Sequence, residues 1–256
     1  MAKVKVNNIN FSYSVTGSGD PLVLLTGFGS DMSFWDDVIL DISSKFTVIT
    51  VDNRGSGVTE YNGSFTIDDM ADDVLALLEK LSFHKVHLLG WSMGSQIAQS
   101  FAIRHPNKVL TLALVSSYYK RPERSSFMLN GMIDAVRDGM PAKYLSIPLK
   151  TMCFPERYFS IKKRSVTENL NVDVEGLAHQ MLAVDLYSTE DCLHKIKAPT
   201  LSIHGSEDYM VPQEFGDALA DRIPDCTMIR LFGEGHNILP SKYIENYISF
   251  VLSREV

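Results

Sequence analysis

Cysteine is scarce in this chain, with Cys153, Cys192 and Cys226 as its three examples in 256 residues. They lie far apart and lack metal-ligand spacing, so neither a disulfide framework nor a metal site is expected, and a reduced compartment is favoured. The sequence also lacks an apolar run long enough to span a bilayer, and its first residues show no apolar signal core. These absences predict a cytoplasmic protein with no membrane span.

Positive charge is also in short supply. The chain has 24 Lys and Arg residues against 31 Asp and Glu residues, a net charge of −7, and no basic stripe. Nucleic acid is therefore not an expected partner, because phosphate recognition requires clustered cations. Internal repeats are absent as well. A chain of this length can bury one large core, or one core with a modest inserted subdomain.

Short apolar runs alternate with helical patterns along most of the chain, which is typical of buried strands in a parallel sheet. The runs are residues 22–25, 46–51, 86–89, 109–115, 200–204 and 227–232. Before them, alternating residues around Asn7 and Asn8 predict a hairpin. After them, residues 239–252 predict a closing amphipathic helix. The order indicates an α/β fold with a mainly parallel, twisted sheet and helices on both faces.

A segment late in the chain interrupts this alternation. It is rich in Met, Phe, Tyr and charged residues, contains no convincing buried strand and is punctuated by prolines, so several short helices are predicted. The strand–helix alternation then resumes at Pro199. We interpret residues 118–187 as a small helical cap inserted late in the sheet, and residues 1–117 and 188–256 as the core.

A Gly-x-Ser-x-Gly pattern, Gly90-Trp91-Ser92-Met93-Gly94, follows the third apolar run. A helical pattern begins directly after it, which predicts a sharp strand-to-helix turn. The residues two positions from the serine must then be small, and both are glycine, so no Cβ obstructs the close approach of strand and helix. The helix N-terminus would point the N–H of Met93 at developing negative charge. Ser92 is therefore the candidate nucleophile, although a purely structural turn would give the same pattern.

A serine hydroxyl needs a base, and the base needs an orienting acid. In a parallel sheet these groups are expected just after the carboxyl ends of strands. His236 follows the last predicted strand and is the candidate base, whereas His204 lies inside a strand and is predicted to pack in the core. Asp208 follows the preceding strand and is favoured as the acid over Glu207, which is expected to be solvated.

Two glycine-containing loops follow the first two predicted parallel strands. The loop Thr26-Gly27-Phe28-Gly29 is expected to supply a second oxyanion donor, the backbone N–H of Phe28, unless it merely starts a helix. Residues 52–57 resemble a phosphate loop but lack its Gly-Lys-Ser/Thr ending. We interpret them as structural, with Arg54 paired to a nearby carboxylate.

Together these motifs resemble the α/β-hydrolase family over nearly the whole chain. The resemblance is carried by Gly27-Phe28-Gly29, Asp52-Asn53-Arg54-Gly55-Ser56-Gly57, Gly90-Trp91-Ser92-Met93-Gly94, Gly205-Ser206-Glu207-Asp208 with Val211-Pro212, and Gly233-Glu234-Gly235-His236. It implies Ser92 as nucleophile, His236 as base and Asp208 as acid, with Phe28 and Met93 as oxyanion donors.

The chain departs from the family pattern at two positions, Thr26 where histidine is usual and Ser95 where glycine is usual. Neither departure removes a catalytic side chain, but both affect the expected shape of the oxyanion loop. Within the family, Trp91 and the short cap are similar to pimeloyl-carrier-protein methyl ester esterases, enol-lactonases and haloperoxidase-like esterases.

This resemblance implies a serine carboxylesterase that acts on a small-molecule ester, free or carrier-linked, with a small to medium apolar acyl group. It implies no cofactor and no metal, and a monomer or homodimer. The same triad would also serve an acyltransferase or perhydrolase, or persist in a ligand receptor with little turnover. Aromatic and methionine side chains are expected to line the substrate site. They are Phe28, Trp91, Phe127, Met132, Met152 and Phe154.

Overall fold

A computed structural model describes residues 1–161 and 173–254 of the protein. Its strands are β1 (Ala2–Val6), β2 (Ile9–Thr16), β3 (Asp20–Leu25), β4 (Phe46–Val51), β5 (Val86–Trp91), β6 (Val109–Val115), β7 (Thr200–Gly205) and β8 (Cys226–Leu231). They form one sheet with the order β1-β2-β4-β3-β5-β6-β7-β8. Strand β2 runs antiparallel to both β1 and β4, and the other neighbours are parallel. The mainly parallel sheet expected from the sequence is confirmed.

Helices cover both faces of this sheet, as predicted. They are α1 (Ile39–Ser43), α2 (Ile67–Lys80), α3 (Met93–Arg104), α4 (Glu123–Arg137), α5 (Ser146–Cys153), α6 (Glu156–Ile161), α7 (Val174–Asp185), α8 (Gln213–Arg222) and α9 (Ile244–Leu252). Helices α1 and α9 pack in the apolar core on one face, and α2, α3 and α8 pack in the core on the other. The carboxyl ends of the parallel strands consequently remain available for loops that carry chemistry.

The structure agrees with the predicted hairpin and corrects the predicted closing helix. Asn7 and Asn8 form the turn between β1 and β2 with φ angles of 46° and 65°, a conformation that asparagine tolerates. Helix α9 begins at Ile244 rather than at residue 239. A short 3-10 turn at Pro240–Lys242 precedes it, and Tyr243 (φ −128°) leaves the helical region of backbone space between the two.

Four of the helices, α4 to α7, lie between β6 and β7, in the segment predicted as a cap. Residues 162–172 of that segment lie outside the described residues. Buried side chains of the helices, among them Leu129 and Met181, join the same apolar core as α2 and α3. No helix within 1–161 and 173–254 is long and apolar enough to cross a membrane.

The predicted pairing of Arg54 is confirmed. Its guanidinium binds the fully buried carboxylate of Asp73 on α2 through two hydrogen bonds, and the Nη2–Oδ1 distance is 2.9 Å. Burial raises the pKa of Asp73, and the hydrogen bonds from Arg54 and Asn7 oppose that rise. Because this arrangement uses the arginine to hold α2 against the loop after β4, residues 52–57 act as a structural element.

Candidate active site

Ser92 occupies the turn between β5 and α3 with backbone angles of φ 52° and ψ −120°. A non-glycine residue rarely adopts a positive φ, and such strain is concentrated at functional sites. The flanking glycines make the turn possible. A Cβ on Gly90 would lie 2.3 Å from the carbonyl oxygen of Gly94, and a Cβ on Gly94 would lie 2.2 Å from that of Leu25. Larger side chains would therefore force strand and helix apart.

Three predicted side chains meet at this turn. His236 Nε2 lies 2.9 Å from Ser92 Oγ, and His236 Nδ1 lies 2.8 Å from Asp208 Oδ2. All three residues are buried, with exposures of 8% for Ser92, 3% for His236 and 6% for Asp208. An ionised carboxylate only accepts hydrogen bonds, so Nδ1 carries the proton and Nε2 is left to accept from the serine hydroxyl. The arrangement can activate the serine as a nucleophile.

Asp208 is held by the backbone that follows it. Its Oδ1 accepts from the N–H groups of Met210 (3.0 Å) and Val211 (2.7 Å), which leaves Oδ2 directed at His236. His204, predicted to pack in the core, is fully buried there and donates from Nε2 to the Val211 carbonyl at 2.8 Å. Among the described residues, the side chain of Glu207 forms no hydrogen bond with His236. The geometry therefore favours Asp208 over Glu207 as the orienting acid.

Hydrogen bonds also hold the backbone of His236 in place. Its carbonyl oxygen accepts from the indole Nε1 of Trp91 at 3.1 Å and from Ser116 Oγ at 2.7 Å. Ser116 directly follows β6 and, like Ser92, has a positive φ, of 48°. Sequence reasoning missed this residue, and the available signal was a buried serine at the end of a parallel strand. Ser116 and Trp91 together fix the loop that carries the base.

The loop after β3 contains Phe28, one of the two predicted oxyanion donors. Phe28 lines the same cavity as Ser92 and His236. A Cβ on Gly27 would lie 2.7 Å from the ring of Trp91, so only glycine lets the loop approach the elbow this closely. Met93 is the first residue of α3, and an N–H at that position has no acceptor within its own helix. Phe28 and Met93 therefore remain the predicted oxyanion donors.

A buried glutamine ties this loop to helix α7. The side chain of Gln180 accepts from the N–H of Gly29 at 2.9 Å, beside the predicted oxyanion donor. Its amide nitrogen donates to the carbonyl of Arg54 (2.6 Å) and to Ser56 Oγ (2.7 Å). Gln180 is fully buried, and its bonds to Arg54 and Ser56 are buried with it. Sequence reasoning missed this role because nothing local to α7 indicates which loops it meets.

Replacing this glutamine with leucine should destabilise the protein. Gln180→Leu keeps a side chain of similar size but leaves the Arg54 carbonyl and the Ser56 hydroxyl, both buried, without this partner. Unsatisfied buried groups cost about 1–3 kcal/mol each, so we expect the free energy of unfolding to fall by about 2–4 kcal/mol. Chemical denaturation measures this change. Gln213→Leu, at the partly exposed start of α8, is the matched control. Equal effects for the two variants would contradict the expectation.

A family model described as alpha/beta hydrolase fold matches residues 20–243. The chain belongs to this family. Pyrrolizixenacetamide deacetylase of Xenorhabdus hominickii is 27% identical to it, with 100% of both chains covered. The solved enol-lactonase of Burkholderia xenovorans LB400 is 23% identical, with a TM-score of 0.88, covering 98% of this chain and 100% of that one. A thermophilic esterase of Thermogutta terrifontis is 24% identical, with a TM-score of 0.85 and coverages of 98% and 99%. At these identities the structural likeness shows the fold.

A cavity of about 180 Å³ in this α/β-hydrolase is lined by Ser92 and His236. Three of the predicted substrate-binding residues, Phe28, Trp91 and Phe154, also line it. Further apolar surface comes from Leu129 on α4, Leu149 on α5 and Met210 in the loop after β7. Trp91 itself is held by a stacked contact with Phe34, with ring centroids 4.2 Å apart. The cavity is small and mainly apolar.

The other three predicted substrate-binding residues do not line this cavity in the α/β-hydrolase. Phe127 is 86% exposed, because α4 buries the face that contains Ser125 and Leu129, and Phe127 points away from it. Met132 lies on the buried face of α4. Together with Phe127 it borders a separate groove of about 800 Å³. Met152 packs in the apolar core. Composition favoured these residues, but their helix faces direct them elsewhere.

Several residues around the nucleophile of the α/β-hydrolase were not singled out from the sequence. Burial raises the pKa of Tyr118, opposed by the charge of Arg121 and by a hydrogen bond with Ser92, so its phenol stays protonated beside the nucleophile. Burial also raises the pKa of Cys153, which lines the cavity. Since the reactive form of cysteine is the thiolate, Cys153 is an inert wall residue rather than a second nucleophile.

Proposed function

We propose that this α/β-hydrolase cleaves carboxylic esters through an acyl-enzyme formed on Ser92. The observation that carries the proposal is the continuous chain of hydrogen bonds from Ser92 through His236 to Asp208. A relay of this geometry supplies what a serine lacks at neutral pH, which is a base within reach and an acid that fixes the base's tautomer. Relatives that are hydrolases add support at the level of the family.

In the first half of the reaction, His236 Nε2 takes the proton of the Ser92 hydroxyl while Oγ attacks the ester carbonyl. The tetrahedral oxyanion would be held by the N–H groups of Phe28 and Met93. His236 then returns the proton to the departing alcohol oxygen, and the ester C–O bond breaks. The N-terminus of α3 behind Met93 contributes its partial positive charge to the same oxygen.

In the second half, a water molecule takes the place of the alcohol. His236 removes a proton from that water as its oxygen attacks the acyl carbonyl, and the bond to Ser92 Oγ breaks with return of the proton to the serine. Asp208 stays ionised throughout and stabilises the imidazolium that forms twice per turnover. The chain supplies the nucleophile, the base and the acid of this cycle, the substrate supplies the alcohol and acyl parts, and the solvent supplies the water.

Helices from the segment between β6 and β7 complete the site. Leu129 on α4 and Leu149 on α5 line the cavity opposite the core residues Trp91 and His236. We infer that residues 118–187 act as a cap that covers the nucleophile and limits the acyl group. A cavity of about 180 Å³ favours a short acyl chain over a long one.

A series of p-nitrophenyl esters tests this proposal by steady-state turnover. We expect many turnovers per site, with kcat/KM rising from acetate to butanoate and falling again for longer chains. Each methylene that is buried should contribute up to about 0.8 kcal/mol to transition-state binding until the cavity is full. p-Nitroacetanilide is the amide comparison, included because a deacetylase is among the relatives. A faster rate for the amide than for the matched acetate ester would contradict the ester assignment.

The same assay separates an enzyme from a receptor of the same fold. A single slow release of nitrophenol, equal to the number of Ser92 sites, would indicate acylation without turnover. A steady decline of kcat/KM from acetate onward would mean that the cavity accepts no chain beyond the acetyl group.

A further inference from the structure

One arginine at the catalytic cavity has two side-chain nitrogens without a hydrogen-bond acceptor in the described residues. Arg121 lies in the loop between β6 and α4, and its side chain is only 7% exposed. It lines the same cavity as Ser92 and His236. Its Nε and Nη1 are buried and have no hydrogen-bond acceptor in the described part of the chain. A guanidinium buried with open donors is costly to maintain, and a fixed positive charge at this place needs a reason.

The nearby carboxylate of Asp185 does not use these donors. Its Oδ1 lies 3.9 Å from Arg121 Nε, which is beyond hydrogen-bonding distance, and Oδ1 itself has no donor within 1–161 and 173–254. The other oxygen of Asp185 accepts from the side chain of Asn130 at 2.7 Å. Asp185 therefore balances part of the charge of Arg121, while the Nε and Nη1 groups of Arg121 stay without an acceptor among the described residues.

The position of the guanidinium connects it with the reacting centre. Its Cζ lies 6.0 Å from the ring centroid of Phe28, the residue whose N–H is the expected oxyanion donor. The charge of Arg121 also reaches Tyr118 and Cys153, where it opposes the rise in pKa that burial causes. Lys150 lines the cavity as well.

We propose that Arg121 forms an anion subsite and that the natural substrate is a short ester that also carries a carboxylate. This inference rests on the proposed function and names its substrate class. The planar fork of a guanidinium matches a carboxylate through two parallel hydrogen bonds. The cavity of about 180 Å³ restricts the ligand to a short acid, because a bulky anion would not fit beside the acyl group.

Matched esters with and without the carboxylate test this subsite. Monomethyl glutarate and methyl pentanoate have acyl chains of equal length, and only the former carries a carboxylate. In the second pair, acetoxyacetate and propyl acetate, the carboxylate is present or absent in the alcohol part. We expect the wild-type protein to prefer the charged ester in at least one pair by about tenfold or more in kcat/KM. Arg121→Gln should reduce that ratio to near one, and Arg121→Lys should retain part of it, because lysine keeps the charge but not the fork.

Arg124→Gln is the matched control, since Arg124 is exposed and lies only three residues along the chain. It should leave the ratio of the two kcat/KM values as it is in the wild type. If the wild-type protein turns over the charged ester no better than the neutral one in both pairs, the subsite proposal is wrong. This measurement uses only the wild-type protein, so it does not depend on whether a variant folds. An equal loss on charged and neutral esters in Arg121→Gln would instead assign Arg121 a structural role.

Binding separates failure of the subsite from failure of the proposed function. At least one of the two charged esters, monomethyl glutarate or acetoxyacetate, should bind to Ser92→Ala protein, measured by calorimetry. Arg121→Gln in that background should weaken this binding by about tenfold or more. If no ester is turned over but this Arg121-dependent binding persists, the ester hydrolase proposal fails and the subsite stands. If esters are turned over without any dependence on the carboxylate, the subsite fails and the hydrolase proposal stands.

Discussion

Ser92→Ala should abolish ester hydrolysis while leaving the fold intact. The substitution removes the only atom of the triad that forms the acyl bond, and losses of about a million-fold in kcat are typical of such a change. The side chain becomes smaller at a buried turn, so no overpacking is introduced. Initial rates with p-nitrophenyl butanoate measure the loss. A fluorophosphonate should label the wild-type protein at Ser92, identified by peptide mapping.

Ser100→Ala is the matched control for this result. Ser100 lies on the same helix as the elbow, and its hydroxyl donates to Asp68 at 2.6 Å, away from the cavity. Its rate should stay close to that of the wild type. If Ser92→Ala retains more than about a tenth of the wild-type rate, the assignment of the nucleophile is wrong, because far less residual catalysis is expected from binding and the oxyanion donors alone.

Asp208→Asn should lower kcat by about ten-thousand-fold, because it reverses the hydrogen bond between residue 208 and His236 Nδ1. The side-chain oxygen of asparagine can continue to accept from the N–H groups of Met210 and Val211. Its NH₂ group then faces His236 Nδ1 in place of Oδ2, and an NH₂ group only donates. The imidazole must place its proton on Nε2, where it can no longer accept from Ser92. The substitution therefore preserves the shape of the site and disables the base.

Glu207→Gln provides the control beside it, and its kcat should stay within a few-fold of the wild type. Steady-state rates of both variants on the same ester make the comparison. A larger loss for Glu207→Gln than for Asp208→Asn would transfer the role of the acid to Glu207. Small losses for both would show that the base needs no carboxylate partner.

The parts of the site that could be predicted from the sequence are those set by local chemistry. The pattern around Ser92 encodes its turn, because the positive φ of the serine and the contacts of Gly90 and Gly94 arise within a few residues. Asp208 and His236 could be assigned because each follows a parallel strand, and parallel strands end at one edge of the sheet. The strand order did not have to be known for that argument.

The parts that could not be predicted depend on which surfaces meet. Gln180 and Arg121 act through residues more than fifty positions away in the chain, and no local pattern identifies those partners. Phe127 shows the opposite error, since its apolar character suggested a binding role while its position on α4 leaves it 86% exposed. A helix face can be assigned only when the neighbours of the helix are known.

The two hydrogen bonds to the His236 carbonyl affect how thermal motion changes the distance between base and nucleophile. Its carbonyl is bound by Trp91, which adjoins Ser92, and by Ser116, which adjoins the next strand. The loop that holds the imidazole is thus bonded to the segment that holds the hydroxyl. We therefore expect the thermal displacements of the two to be correlated. The distance between His236 Nε2 and Ser92 Oγ changes only with the displacement of one atom relative to the other. When the two atoms move together, this relative displacement is smaller than the displacement of either atom. Temperature factors of this loop, which record absolute displacement, should therefore overstate the spread of distances between base and nucleophile.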